Sequence, residues 1–202
     1  MLLMLAVSSY AADQPRVVFL GNSLTAGYQI NEDEAFPALI QNKINNQGWD
    51  YRVVNAGVSG DTSAGGLNRI DWLLNQPIRV MVISLGANDG LRGLDPNQTE
   101  ENLQKIIDKV KAEHPRARII LTGMKIPPNM GSEYTEEFEQ IYPRLAEKNE
   151  VEFIPFLLEG VAAEEEYNLD DGIHPNPEGH KIIAETVWHV LEPVLKDVEQ
   201  TP

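Results

Sequence analysis

"RVVFLGNSLTAGYQI", residues 16–30, is the stretch whose reading decides the fold. The apolar run Val17–Leu20 stops at Gly21, and the polar pair Asn22 and Ser23 follows at once. A short continuous apolar run closed by glycine reads as a strand buried on both faces. Such strands belong to parallel sheets covered by helices, so the pattern should repeat with helical segments between the runs.

It repeats four more times. "YRVVNAG" (51–57), "IRVMVISLG" (78–86), "ARIILTG" (117–123) and "VEFIPF" (151–156) read as further strands. "FPALIQNKINNQG" (36–48) reads as a helix closed by Gly48, and 64–76 as a helix with Leu67, Ile70, Leu73 and Leu74 on one side. In 97–115, Leu103, Ile106, Ile107 and Val110 keep the 3.6-residue period, with Pro115 just past the end. Helices are also expected over 134–149, where Pro143 should bend or break the helix, and over 178–195. The connections are too long for hairpins. The expected fold class is therefore α/β, a five-stranded parallel sheet with helices on both faces. No Gly-, Ser- or Pro-rich linker and no repeat divides the chain, so 12–202 is expected to be one domain. The one long irregular stretch is 157–177, and long loops in compact domains are often functional.

Composition narrows the function classes. The 202 residues carry 31 acidic and 16 basic side chains, a formal net charge of −15. That balance argues against a broad surface for nucleic acid or anionic membranes. With no cysteine, disulfides, a thiol nucleophile and cysteine zinc sites are excluded. "MLLMLAVSSYAADQ" (1–14) is an apolar run ending in small residues, and Ser9-Tyr10-Ala11 fits a cleavage site before Ala12. It resembles the end of a secretory signal, although no Lys or Arg precedes the run. Residues 1–11 are accordingly expected to be a signal-peptide remnant, and the protein periplasmic or secreted. If the segment is only an apolar tail, the protein is cytoplasmic. No other stretch approaches the ~18–20 apolar residues that span a bilayer, so stable membrane insertion is not expected.

In an open parallel sheet, ligands bind beyond the carboxyl ends of the strands. The residues following each strand bring together Ser23, then Gly60 and Asp61, then Asn88 and Asp89, then "MKIPPNMG", and finally Asp171 and His174. Acyl transfer needs such a set. A serine hydroxyl needs an imidazole to take its proton, and the imidazole needs a carboxylate to orient it. The oxyanion needs aimed donors, which backbone N–H groups near glycines and an Asn carboxamide can supply. Pro175 biases His174 toward an extended conformation. The other histidines have simpler readings: His180 and His189 as solvated or partly packed helix residues, His114 as a helix-end dipole contact.

Each residue has a plainer reading alone, as turn serine, turn glycine, cap or loop lock. In this order, each after a strand, the four blocks resemble those of the SGNH, or GDSL, hydrolases over about residues 16–195. The similarity is strongest to small bacterial arylesterases and to enzymes acting as thioesterase and lysophospholipase. The resemblance implies a flavodoxin-like α/β/α sandwich of three layers with five parallel strands. It implies Ser23 as nucleophile, His174 as base and Asp171 as orienting acid. Asp171 is favoured over Asp170 by the family's three-residue spacing to the histidine. The Ser23 N–H, the Gly60 N–H and the Asn88 side chain match the oxyanion donors, and Asp61 and Asp89 are left to organise turns. One departure is visible: Asn22 stands where the family usually has Asp. It is expected to keep the turn and the activity.

The expected function is a serine ester hydrolase working through an acyl-enzyme intermediate. Its substrate is expected to be a small acyl ester, thioester or lipid, with Ile126, Pro127, Pro128 and Met130 walling the acyl pocket. An acetylated sugar is the alternative within the class. A flavodoxin-like phosphate binder, or a non-catalytic acyl or glycan binder, is the rival outside it. No cofactor is expected, and no metal, because no His/Asp/Glu cluster has ligand spacing. A monomer without nucleic-acid partners is expected.

Overall fold

The computed structural model describes residues 14–200, so the segment 1–11 lies outside the described residues. Five parallel strands form one sheet: β1 Arg16–Gly21, β2 Arg52–Gly57, β3 Ile78–Ser84, β4 Arg118–Thr122 and β5 Glu152–Ile154. Their order is β2-β1-β3-β4-β5. All six residues of β1 are buried, and β3 is nearly so, which is why both read as unbroken apolar runs. β2 lies on the edge and is only half-buried. There Gln41 covers part of the open backbone: its Oε1 accepts the Val53 N–H at 2.7 Å and its Nε2 donates to Tyr51 O at 3.0 Å.

Among the described residues seven α-helices surround the sheet: α1 Ser23–Ala26, α2 Phe36–Asn46, α3 Ser63–Leu74, α4 Ala87–Leu91, α5 Pro96–Glu113, α6 Ser132–Asn149 and α7 Pro177–Gln200. α3 packs on α5 and α5 on α6, while α2 packs on α7. Right-handed crossovers put the first three on one face and the last two on the other. The three-layer α/β/α sandwich results. Its core joins Phe19, Leu20, Met81 and Ile83 of the sheet to Ile40, Ile70, Leu103, Phe138 and Leu191 of the helices.

Pro143 lies inside α6 without breaking it, so of the two expected effects the break does not occur. Phe138, Ile141, Tyr142, Leu145 and Ala146 are buried along this helix, and that burial outweighs the backbone bond the proline lacks. The helices α1 and α4 have four and five residues, too few for periodicity to reveal.

The strand order fixes where a ligand can sit. Connections leave β1 toward β2 on one side, while β3 lies on its other side. The crevice therefore opens between the carboxyl ends of β1 and β3. Gly21 pairs with both Gly57 and Ser84 at that level. A Cβ on Gly57 would come 2.3 Å from the Ala26 nitrogen, so only glycine lets α1 seat against the end of β2.

Candidate active site

The first turn after β1 is built on Asn22. Its side chain is buried, and its Oδ1 accepts the Leu24 N–H at 3.0 Å, capping α1. The capping role needs only an oxygen, which Asn supplies as well as Asp. Ser23, 8% exposed, is thereby the first helical residue, directly at the sheet edge.

Asp171 and His174 come from the loop between β5 and α7. One Asp171 oxygen, Oδ1, accepts the N–H groups of Ile173 and His174, both at 2.9 Å. The other, Oδ2, lies 2.7 Å from His174 Nδ1. The His174 N–H, the His174 ring and the Ile173 N–H together hold this carboxyl down at about 2. An ionised carboxylate makes Nδ1 the donor and leaves Nε2 as acceptor. That nitrogen is 3.0 Å from Ser23 Oγ, across 151 positions of sequence. The three residues thus form one line of hydrogen bonds from hydroxyl to imidazole to carboxylate. Such a line can move a proton off the hydroxyl as it attacks a carbonyl.

The loop around this pair is fastened locally. Leu169 N–H donates to His174 O at 2.7 Å, and Asn168 donates to the carbonyls of Val161 and Glu164. Asn176 Oδ1 accepts the N–H groups of Glu178 and Gly179, starting α7 beside the imidazole.

Gly60 and Asn88 stand on the neighbouring loops. Gly60 has φ +81°, a conformation that favours glycine. Arg92 donates to its carbonyl at 2.8 Å. Asn88 Nδ2 donates to Asp61 O at 2.9 Å. A carboxamide has two N–H groups, so this bond fixes the Asn88 side chain and leaves its other N–H uncommitted. Asp61 pairs with Arg69 at 2.7 Å, and Arg69 also donates to Gly21 O at 2.9 Å, tying the glycine loop to the turn that carries Ser23. Asp89 is buried and accepts the N–H and hydroxyl of Ser63 and the Thr99 hydroxyl. The Asp61 and Asp89 side chains thus bond to residues of the following helices, Arg69 in α3 for Asp61 and Ser63 in α3 and Thr99 in α5 for Asp89.

Some expectations need correction. His180 is 1% exposed rather than solvated or partly packed, and its Nδ1 accepts the Phe36 N–H at 3.1 Å. Burial pulls it down to about 4, because its charged form would lose hydration. Ile126 is also a core residue, 5% exposed and packed on Gly90, so it offers little wall to a pocket. Pro127 and Pro128 are exposed, and Met130 is half-buried beside Gly93. His189 is exposed, and His114 Nε2 lies 2.9 Å from Leu74 O. Sequence reasoning missed Arg69 and Arg92, whose carbonyl partners lie 48 and 32 positions away. It also missed Tyr28, whose ring lies on His174. Among the described residues no three His, Asp or Glu side chains cluster as metal ligands.

The chain as a whole is similar to known proteins. Residues 19–182 match the model of the GDSL-like Lipase/Acylhydrolase family. The arylesterase of Vibrio mimicus is 39% identical over 192 residues, covering 95% of each chain. The thioesterase 1/protease 1/lysophospholipase L1 of Escherichia coli K12 is 41% identical over 197 residues, covering 96% of this chain and 90% of its own. The crystal structure of TesA superposes with a TM-score of 0.84 at 40% identity, over 89% of this chain and 99% of that one.

Proposed function

We propose a triad mechanism from the premise that this chain belongs to the GDSL-like lipase/acylhydrolase family and is a serine ester hydrolase. Ser23 is the nucleophile, His174 the general base and then general acid, and Asp171 the group that orients and stabilises the imidazole. The observation that carries the reading is the unbroken relay, 3.0 Å from Ser23 Oγ to His174 Nε2 and 2.7 Å from Nδ1 to Asp171.

Ser23 Oγ attacks the acyl carbonyl carbon while its proton passes to Nε2. The tetrahedral oxyanion takes hydrogen bonds from the N–H groups of Ser23 and Gly60 and from the Asn88 side chain. Collapse expels the alcohol, phenol or thiol, which leaves with the proton from Nε2. Water then repeats the sequence on the acyl-serine, releasing the acid and restoring Ser23.

Small acyl esters and thioesters are the substrate class of this reading, since two relatives are named arylesterase and thioesterase/lysophospholipase. Pro127, Pro128 and Met130 border the acyl chain. The whole of 12–202 acts as one domain, and residues 1–11 direct export. The mass of the protein recovered from a periplasmic fraction tests that last point. Replacing Ser23 by Ala is expected to lower kcat for p-nitrophenyl esters by up to ~10⁶. Hydrolysis by that variant at the wild-type rate would sink the assignment.

A further inference from the structure

The relay uses both nitrogens of His174 in the plane of its ring and leaves the two ring faces to other contacts. Tyr28 covers one of them: the ring centroids are 4.4 Å apart, tilted by 40°. Tyr28 is 37% exposed, so its ring lies at the surface rather than in the core. The backbone is shaped to put it there. Gly27 has φ +76° and Gln29 has φ +59°, so Tyr28 stands between two left-handed residues, one of them not glycine. A left-handed non-glycine persists only where surrounding structure holds it, and such residues gather at functional sites. Here the holds are local. The Tyr28 N–H donates to Ser23 O at 3.2 Å, and Gln29 Nε2 donates to the Tyr28 hydroxyl at 3.0 Å. The ring that touches the base is thus hung from the carbonyl of the nucleophile.

We propose that Tyr28 is a positioning residue for His174, keeping the imidazole upright between Ser23 and Asp171 and stabilising it when it is charged. The inference rests on the assignment of His174 as base. When Ser23 gives up its proton, the imidazole becomes a cation against the face of an aromatic ring. That attraction is stronger in the transition state than in the resting enzyme, so it acts on kcat. The contact needs the ring and not the hydroxyl, whose bond to Gln29 only steadies it.

The full chain and its variants are assayed on p-nitrophenyl acetate, butyrate and octanoate. Tyr28→Leu is expected to lower kcat about tenfold on all three, with KM little changed. Tyr28→Phe, which keeps the ring, is expected to restore kcat to within about threefold of wild type. In a His174→Ala background, adding Tyr28→Leu is expected to change nothing, because its target is gone. Tyr28→Gln replaces the Leu variant, with the same expectations, if that variant does not fold. A KM that rises with acyl length at constant kcat makes Tyr28 a pocket wall and overturns the inference. So does a loss that persists undiminished without His174, or a Phe variant as slow as Leu. Wild-type turnover by His174→Ala alone refutes the assignment of the base itself, and the inference falls with it.

Discussion

Two regions of the sheet edge are held in opposite ways. The part of the loop that carries Asp171 and His174, residues 168–176, is fastened locally: apart from the Ser23 bond, its hydrogen bonds join residues at most ten positions apart. The loops that carry Gly60 and Asn88 are fastened to other parts of the chain. Asn88 reaches Asp61 across 27 positions, Arg92 reaches Gly60 across 32, and Arg69 reaches Gly21 across 48. A local lock forms whenever its own segment is ordered. A distributed one exists only when β1, β2 and β3 are already side by side. On the proposed mechanism the base is therefore prepared by its loop, and the oxyanion donors are prepared by the assembled sheet.

The largest test separates the local lock from its charge. In Asp171→Asn the remaining oxygen can still accept the two N–H groups, so the loop should survive. The negative charge that sets the His174 tautomer is lost. kcat is expected to fall by about 10⁴ with only a small drop in the thermal melt, because the exposed carboxylate adds little to stability. A large drop in melting temperature would mean that charge and lock cannot be separated. On the distributed side, Asn88→Ala removes one proposed oxyanion donor together with the strut to Asp61. A loss of roughly 10²–10³ in kcat is expected, larger than any rise in KM. Equal loss through KM would assign Asn88 to substrate binding instead.

A third test concerns the helix that follows the self-fastened loop. His180 joins α7 to the start of α2 through an acceptor that must stay neutral. Its value of about 4 lies below the ordinary 6.5, so between these limits the unfolded chain binds a proton that the folded chain refuses. Stability should therefore fall as pH drops from 6.5 toward 4, by about 3 kcal/mol over the interval. Asp171, held at about 2, stays ionised throughout that window and loses its contribution only below it. Urea titrations at pH 7 and pH 4.5 check this, and His180→Gln should flatten the difference. The smallest effect lies inside α1. The Thr25 hydroxyl is buried without a hydrogen-bond partner. Thr25→Val is expected to raise stability by up to about 1 kcal/mol in the same titration, leaving kcat within twofold. A loss of stability would reveal a partner for that hydroxyl.

The contrast between the two regions also explains what could be read from the sequence. All five strands were legible, because burial on both faces leaves long apolar runs such as Val80–Ile83. Asp171-Gly172-Ile173-His174 was legible because its bonds are local and spacing is a local signal. Arg69, Arg92 and Tyr28 were not, since nothing in the neighbourhood of an arginine names a carbonyl 48 or 32 residues away, or of a tyrosine an imidazole in another loop. His180 looked like any helix histidine until α2 was packed against it. Ile126 looked like a loop residue until Gly90, with no side chain, made room for it in the core.

The half-open edge of the sheet has a consequence for life at high concentration. A parallel sheet with free backbone at its margin is a template on which a second molecule could continue the ladder. Gln41 stands in that position already, its amide occupying one donor and one acceptor that a foreign strand would need. At the opposite margin β5 is only three residues long, too short to guide another chain. The enzyme thus carries its own defence against aggregation at both ends of the sheet, on elements that take no part in the chemistry.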